Sequence, residues 1–232
     1  MLELPCYVWV SICYRFRSWG GRRVPKRGAV LIVANHQSFL DPILLGVAAH
    51  HRPCHAMARA SLFRSRFFGW LIRSLRAIPI ELGAGDVKAL RRCLEVLRAG
   101  DALVVYPEGS RTEDGNVAPF AAGTLLLIRK ARPIVVPAAI EGAAAAWPRS
   151  SAWPRPAGRI GVMFGRPIAA EQLVAMEVDE ALEHLRERVD TLRAELGGRL
   201  AKAGGREFRV PGSGEEGFRV QEKKGSGFRV GA

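Results

Sequence analysis

The apolar run Val30-Leu31-Ile32-Val33-Ala34, broken off at once by Asn35-His36-Gln37-Ser38-Phe39-Leu40-Asp41-Pro42, constrains the fold of this chain more than any other segment. Five apolar residues bounded by turn-forming ones read as a buried strand. Asp41 is a good helix N-cap and Pro42 suits a first helical position, because its fixed φ and missing N–H cost nothing there. Strand, turn and helix are therefore expected, with His36 at the strand end and Asp41 at the mouth of the helix. The two stand five residues apart. A helix turns by about 100° per residue, so within one helix they would lie on roughly opposed faces. They can meet only across a turn.

A histidine with a carboxylate on one ring nitrogen has its tautomer fixed and its other nitrogen left as an acceptor. That is the arrangement of a general base for a hydroxyl proton, typically worth about 10²–10⁴ in rate. For an isolated pair, a buried histidine bonded to a helix cap is the simpler reading. Two further segments shift the balance. Asp101-Ala102-Leu103-Val104-Val105-Tyr106-Pro107-Glu108-Gly109-Ser110-Arg111-Thr112 reads as a second buried strand running into a loop that carries Glu and Arg. Ligands of open α/β sheets collect at the carboxyl ends of strands. Gly109 permits close backbone approach, and Arg111 offers a planar fork suited to phosphate oxygens. On its own the segment is equally an ordinary strand-to-loop turn with a surface salt bridge. The stretch Ala131 to Gly142 reads as another core strand ending beside the same place.

Taken together, Asn-His-Gln-Ser-Phe-Leu-Asp-Pro, Tyr-Pro-Glu-Gly-Ser-Arg and Ile-Val-Val-Pro-Ala-Ala-Ile-Glu-Gly resemble the glycerophospholipid acyltransferase family, typified by 1-acylglycerol-3-phosphate acyltransferases. Order and spacing agree from about Tyr7 to Ile168. The resemblance implies an acyl chain moved from acyl-CoA or acyl-carrier protein to a lysophospholipid hydroxyl, foremost position 2 of 1-acylglycerol-3-phosphate, giving phosphatidate. By position it assigns His36 as base, Asp41 as its partner, and Glu108, Gly109 and Arg111 as substrate-binding. No metal or organic cofactor is implied. Direct transfer is expected, since Ser38 is the only serine inside the first block and no Gly-x-Ser-x-Gly elbow occurs.

The chain also departs from the family's pattern. Arg76 stands where a Gly is usual, Leu82 where an Arg is usual, and Ala121 where a basic residue often follows Phe120. Two phosphate-side cations are thus missing, with Arg73 or Arg76 as possible replacements. A different acceptor, such as a lyso-aminolipid, and a non-catalytic lipid-binding module therefore stay open beside lysophosphatidate.

Charge points to an anionic neighbour. The formal net charge is +13 over 232 residues, and such an excess favours nucleic acid or an anionic membrane surface. No zinc-finger spacing, ribonucleoprotein-type aromatic motif or helix-turn-helix signature is present, which disfavours nucleic acid. Between Arg59 and Arg76, Phe63, Phe67, Leu71 and Leu75 recur every four residues, with Arg59, Arg66 and Arg73 on a neighbouring face. This suits a helix lying in a bilayer interface or one packed on a sheet with snorkelling arginines. The apolar N-terminus to Arg17 is shorter than the about 20 residues a spanning helix needs, and Glu3 and Pro5 argue against a signal peptide. A peripheral (monotopic) protein on the cytoplasmic face of a membrane is expected. Cys6, Cys13, Cys54 and Cys93 show no paired spacing, as in a reducing compartment. His50-His51-Arg52-Pro53-Cys54-His55 lacks a second ligand pair and is not read as a metal site.

Alternating strand and helix signals predict an α/β single-domain layered sandwich with a largely parallel central sheet flanked by helices. Strands are expected near 29–34, 54–58, 77–81, 101–106, 133–140 and 159–165. Helices are expected near 5–17, 42–49, 61–75, 86–98, 120–131 and 171–197, with Asp86 capping one and Gly100 just past its end. Residues 1–20 are expected to form an interfacial helix and 21–198 the catalytic domain. Residues 199–232, with Phe-Arg-Val recurring at 208–210, 218–220 and 228–230, cannot bury a core and are expected to be disordered.

Overall fold

The computed structural model describes residues 3–74, 76–80, 87–112, 115–151, 153–155 and 158–203. In chain order they form α1 (Glu3–Tyr14), β1 (Arg17–Trp19), β2 (Val30–Ala34), α2 (Asp41–Ala48), β3 (Cys54–Arg59), α3 (Arg66–Ser74), β4 (Ala77–Ile80), α4 (Val87–Arg98), β5 (Ala102–Val105), α5 (Gly123–Ala131), β6 (Ile134–Glu141), α6 (Ala143–Ala146), β7 (Gly161–Phe164), α7 (Ala170–Val174) and α8 (Val178–Lys202).

The strands make a sheet of order β1-β7-β6-β2-β5-β3-β4. Neighbours run parallel except β6 and β7, which are antiparallel. The expected α/β layering with a largely parallel sheet is what forms. It follows from the apolar runs: a parallel sheet is covered on both faces, so its strands need apolar side chains in both directions. Along β2, Val30, Ile32 and Ala34 join Tyr14 of α1 and Leu44 and Leu45 of α2 in one core. Leu31 and Val33 turn the other way, toward Leu97 of α4, Ile128 of α5 and Leu185 and Val189 of α8. Burying such a side chain stabilises the fold by about 1.5–3 kcal/mol. With β2 flanked by β5 and β6, the carboxyl ends of all three strands come together, and the site lies there.

Several elements differ from the sequence expectation. Asp41 is not the N-cap. It is the first helical residue after Leu40, because its carboxylate turns back to the preceding loop instead of capping the helix. The helix expected over 61–75 is two pieces, a 3-10 turn at Ala60–Arg64 and α3, separated by Ser65 in extended conformation. Arg59, Arg66 and Arg73 are exposed, as is Trp70 at 54%. The Cys6, Phe67, Phe68 and Leu71 side chains and all of Leu75 lie outside the described residues, as do Leu82, Asp86 and residues 204–232. The closing helix is broken at Glu177, where the chain is extended, into α7 and α8, and α8 runs past 198 to Lys202. The helix α1 stops at Tyr14, and β1, too short and polar to signal itself, pairs with β7. Among the described residues no helix is long and apolar enough to cross a membrane.

Candidate active site

The loop after β2 is fastened by its own polar side chains. Asn35 Nδ2 donates to the Ile140 carbonyl at 3.0 Å, and its Oδ1 accepts the Ile140 N–H at 2.8 Å. One side chain thereby completes two backbone bonds at the end of β6. Gln37 Oε1 accepts the N–H groups of Ala143 and Ala144 at 3.1 and 3.4 Å. The Ser38 hydroxyl donates to the Trp147 carbonyl at 3.1 Å and accepts the Leu40 N–H at 3.3 Å. These partners lie where they do because Gly142 turns β6 into α6 at φ +86, where a Cβ would sit 2.0 Å from the Arg159 carbonyl oxygen. Only glycine fits that approach.

His36 and Asp41 meet across the turn. Nδ1 of His36 lies 2.7 Å from Asp41 Oδ2. The same oxygen accepts the N–H groups of Gln37 at 2.6 Å and Ser38 at 2.8 Å. Asp41 is fully buried and His36 is 21% exposed. A buried carboxylate needs donors in place of water, and these three hold Asp41 ready for a ring proton on Nδ1. No hydrogen bond among the described residues occupies Nε2 of His36. The imidazole is stacked on the Tyr106 ring, with centroids 4.2 Å apart and planes 17° from parallel. Burial holds the Tyr106 phenol well above its usual range, and the Asp41 charge adds to this.

The loop after β5 closes over the pair. Glu108 accepts the backbone N–H of His36 at 2.6 Å through Oε1 and that of Ala118 at 2.9 Å through Oε2. Burial pushes its carboxyl up, while the Ala118 and His36 N–H groups pull it down. Thr112 N–H donates to the His36 carbonyl at 2.8 Å. Gly109 has φ +70 in the intervening turn, and a Cβ there would meet nothing within 4 Å. The positive φ is a conformation that glycine adopts without the cost a side chain would add. Arg111 lies over Phe39, Cζ 3.6 Å from the ring centroid, and Phe39 packs at 5.3 Å on Trp147. Burial lowers the proton affinity of Arg111, and nearby Arg149 lowers it further, with Asp41 opposing. Nη1 of Arg111 is buried without a hydrogen-bond partner among the described residues. A cleft of about 350 Å³ opens beside it, lined by Ser110, Arg111, Thr112, Asn116 and Arg149 among others.

The five residues singled out in the sequence, His36, Asp41, Glu108, Gly109 and Arg111, thus come to one end of the sheet. Sequence reading missed Tyr106, Phe39 and Arg149. Phe39 stood inside the first block and Tyr106 at the end of a strand, positions that carried a signal; Arg149, in a distant loop, carried none. The His50–His55 cluster does other work. His51 Nε2 lies 3.0 Å from the Val24 carbonyl, and Arg52 donates to the carbonyls of Pro25, Gly28 and Gly100. Among the described residues no group of three His, Cys, Asp or Glu is placed to hold a metal.

The acyltransferase family model matches residues 15–141, more than half of the chain, with His36, Asp41, Glu108, Gly109 and Arg111 inside the match. The chain belongs to the acyltransferase family. Among curated relatives, this acyltransferase is 25% identical over 190 residues to 1-acyl-sn-glycerol-3-phosphate acyltransferase LPAT1, chloroplastic, of Arabidopsis thaliana, covering 79% of this chain and 52% of that one. It is 28% identical over 162 residues to the 1-acyl-sn-glycerol-3-phosphate acyltransferase of Streptococcus pneumoniae, covering 69% and 58%. The chain therefore spans between half and two thirds of these relatives' lengths. Among solved structures, the 1-acyl-sn-glycerophosphate (LPA) acyltransferase PlsC from Thermotoga maritima superimposes with a TM-score of 0.69 at 25% identity, over 84% of this chain and 80% of that one.

Proposed function

We propose that this acyltransferase moves an acyl chain from acyl-CoA or acyl-carrier protein to the 2-hydroxyl of 1-acylglycerol-3-phosphate, giving phosphatidate. The observation that carries this reading is the 2.7 Å contact between His36 Nδ1 and fully buried Asp41. With Nδ1 protonated toward Asp41, Nε2 is the acceptor for the hydroxyl proton. The hydroxyl oxygen forms the new C–O bond at the thioester carbonyl, the C–S bond breaks, and the imidazolium returns the proton to the departing thiolate. Asp41 stabilises the imidazolium without taking its proton. Arg111 binds the acceptor phosphate. Glu108, with both oxygens on backbone donors, and Gly109, at the turn, act on substrate through the loop that presents Arg111. No bound cofactor enters the scheme.

A peripheral position on an anionic membrane surface, on its cytoplasmic side, belongs to the same reading. Trp9, Ile12 and Trp70 are exposed at 41%, 76% and 54%, beside exposed Arg15, Arg66 and Arg73. Each basic residue near anionic lipid contributes about 1 kcal/mol. Binding to anionic vesicles is expected to weaken as salt rises, because exposed charges are screened.

The test is turnover of a labelled acyl thioester by purified protein with 1-acylglycerol-3-phosphate in vesicles. Phosphatidate is the expected product, and His36→Ala should abolish it while vesicle binding persists. Tight vesicle binding without turnover of any lysolipid would leave a lipid-binding module instead. A lyso-aminolipid acceptor is the second reading, favoured by exposed Ala121 where relatives in this family often carry a cation. Strong preference for a phosphate-free acceptor in the same assay would establish it.

A further inference from the structure

We infer that Tyr106 is a positioning residue for acyl transfer: its ring sets the plane of the His36 imidazole and so the aim of Nε2. The inference rests on the reading of His36 as the base, and it holds for any lysolipid acceptor.

The bonds on His36 leave one freedom open. Its N–H is held by Glu108 at 2.6 Å and its carbonyl by Thr112 at 2.8 Å, which fixes the main chain. Its ring makes one hydrogen bond among the described residues, between Nδ1 and Asp41 at 2.7 Å. A bond at a single corner is a pivot. The imidazole can keep it and still tilt, carrying Nε2 out of line with an incoming hydroxyl. Tyr106 closes that freedom. The two rings lie with centroids 4.2 Å apart and planes 17° from parallel, so a tilted imidazole would run into the phenol ring or leave its face. Contact between stacked rings is itself attractive. The negative face of the phenol ring also meets the positive charge that the imidazole takes on as it accepts the hydroxyl proton.

Tyr106 is fixed from its own side. It follows Val105, which pairs with Val33 of β2, so the loops bearing Tyr106 and His36 leave the sheet side by side. Successive strand residues face opposite ways. Val105 joins the core of Leu31 and Val33, and Tyr106 joins that of Ala34, Leu40 and Leu44. The Tyr106 carbonyl accepts the Gly109 N–H at 3.1 Å, so the turn that carries Glu108 closes on this residue. Its hydroxyl is buried without a hydrogen-bond partner among the described residues. Burial pushes the phenol well above its usual range, so an uncharged ring lies against the imidazole. With no such bond at the hydroxyl, the ring is the part that acts on His36.

The test is steady-state kinetics of Tyr106→Leu and Tyr106→Phe, with one acyl thioester and the lysolipid that wild type turns over fastest, beside NMR of the His36 ring protons. Tyr106→Leu should lower kcat about tenfold, since a misplacement of about 1 Å can cost about 10² in rate. Both KM values should stay within about twofold. Tyr106→Phe should recover most of the loss and unfold at no lower temperature than wild type, because it removes a buried hydroxyl that has no partner. The ring current should move the His36 Cε1–H and Cδ2–H signals upfield in wild type and in Tyr106→Phe, and not in Tyr106→Leu. Should Tyr106→Leu fail to fold, Tyr106→Met fills the space without a ring and gives the same comparison. An unchanged kcat without the ring would overturn the role of Tyr106 and leave the proposed function standing. Tyr106→Phe as slow as Tyr106→Leu would overturn it too, by moving the effect to the hydroxyl. A lower kcat with both KM values raised would overturn it as well, by making Tyr106 a general support of the site. Wild type that transfers no acyl chain to any lysolipid would overturn both readings.

Discussion

The Glu108 carboxylate holds the backbone of His36, not its ring: Oε1 accepts the His36 N–H at 2.6 Å while Oε2 accepts that of Ala118. One side chain thus joins the loop after β2 to the loop after β5. Glu108→Gln keeps the size but leaves one oxygen to serve two donors. The proposed consequence is a kcat loss of about tenfold with little change in either KM, since a hydrogen bond to a charged group is worth about 1.5–3 kcal/mol. A rise in acceptor KM at unchanged kcat would mean that Glu108 touches substrate directly.

The same carboxylate gives a pH dependence with a definite sign. Burial raises its pKa in the folded chain, so over the window above the unfolded value the folded protein keeps a proton that the unfolded chain has released. Its contribution is therefore full below the unfolded value and is lost as pH rises through the folded one. The amide introduced by Glu108→Gln does not titrate. The deficit in Tm of that variant relative to wild type should be larger at about pH 4 than at about pH 7. Thermal scans across that range check this, and a deficit that grows with pH would contradict it.

His36 and Asp41 separate chemistry from stability. Removing the imidazole in His36→Ala leaves the Gln37 and Ser38 N–H groups on Asp41, so turnover should fall by at least about 10² with Tm nearly unchanged. Asp41→Ala strands both N–H groups in the interior, at about 1–3 kcal/mol each. It should lower Tm as well as abolish turnover. Equal Tm losses in the two variants would make His36 a structural residue.

Much of this was legible beforehand because the signals are local. The runs Val30–Ala34, Ala102–Val105 and Ile134–Ile140 need two apolar neighbours and announce a covered sheet. The strand-turn-helix logic around Pro42 brought His36 to Asp41. The cap was misread because a carboxylate at a helix start can face either way, and three donors upstream won. Neither the break at Ser65 nor the one at Glu177 has a proline or glycine to mark it; each is set by how the flanking helices pack. Tyr106 under His36 and Arg149 beside Arg111 depend on pairings between distant segments, which no window of sequence contains.

Arg111 should respond to shape as well as charge. Its guanidinium lies on the Phe39 face, a contact that an ammonium reproduces poorly because it has no plane to stack. Arg111→Lys is expected to raise the acceptor KM almost as much as Arg111→Ala, with the thioester KM little affected. Phe39→Leu should show a smaller effect of the same kind. Full recovery with Lys would mean that charge alone matters at that position.

Arg76 stands in the left-handed region at φ +56, where the family's pattern has glycine. Its N–H donates to the Arg73 carbonyl at 2.9 Å, closing the end of α3 before β4. A side chain in that conformation crowds its own carbonyl and costs about 1–2 kcal/mol, a penalty glycine escapes. Glycine gives part of this back through the greater freedom of the unfolded chain. Arg76→Gly should therefore stabilise the fold by about 0.5–1 kcal/mol in denaturant titrations. Because Arg76 is exposed and adds no contact to the cleft at Arg111, the acceptor KM should not move. A stabilised variant with a raised acceptor KM would instead mark Arg76 as the replacement for the missing phosphate-side cation.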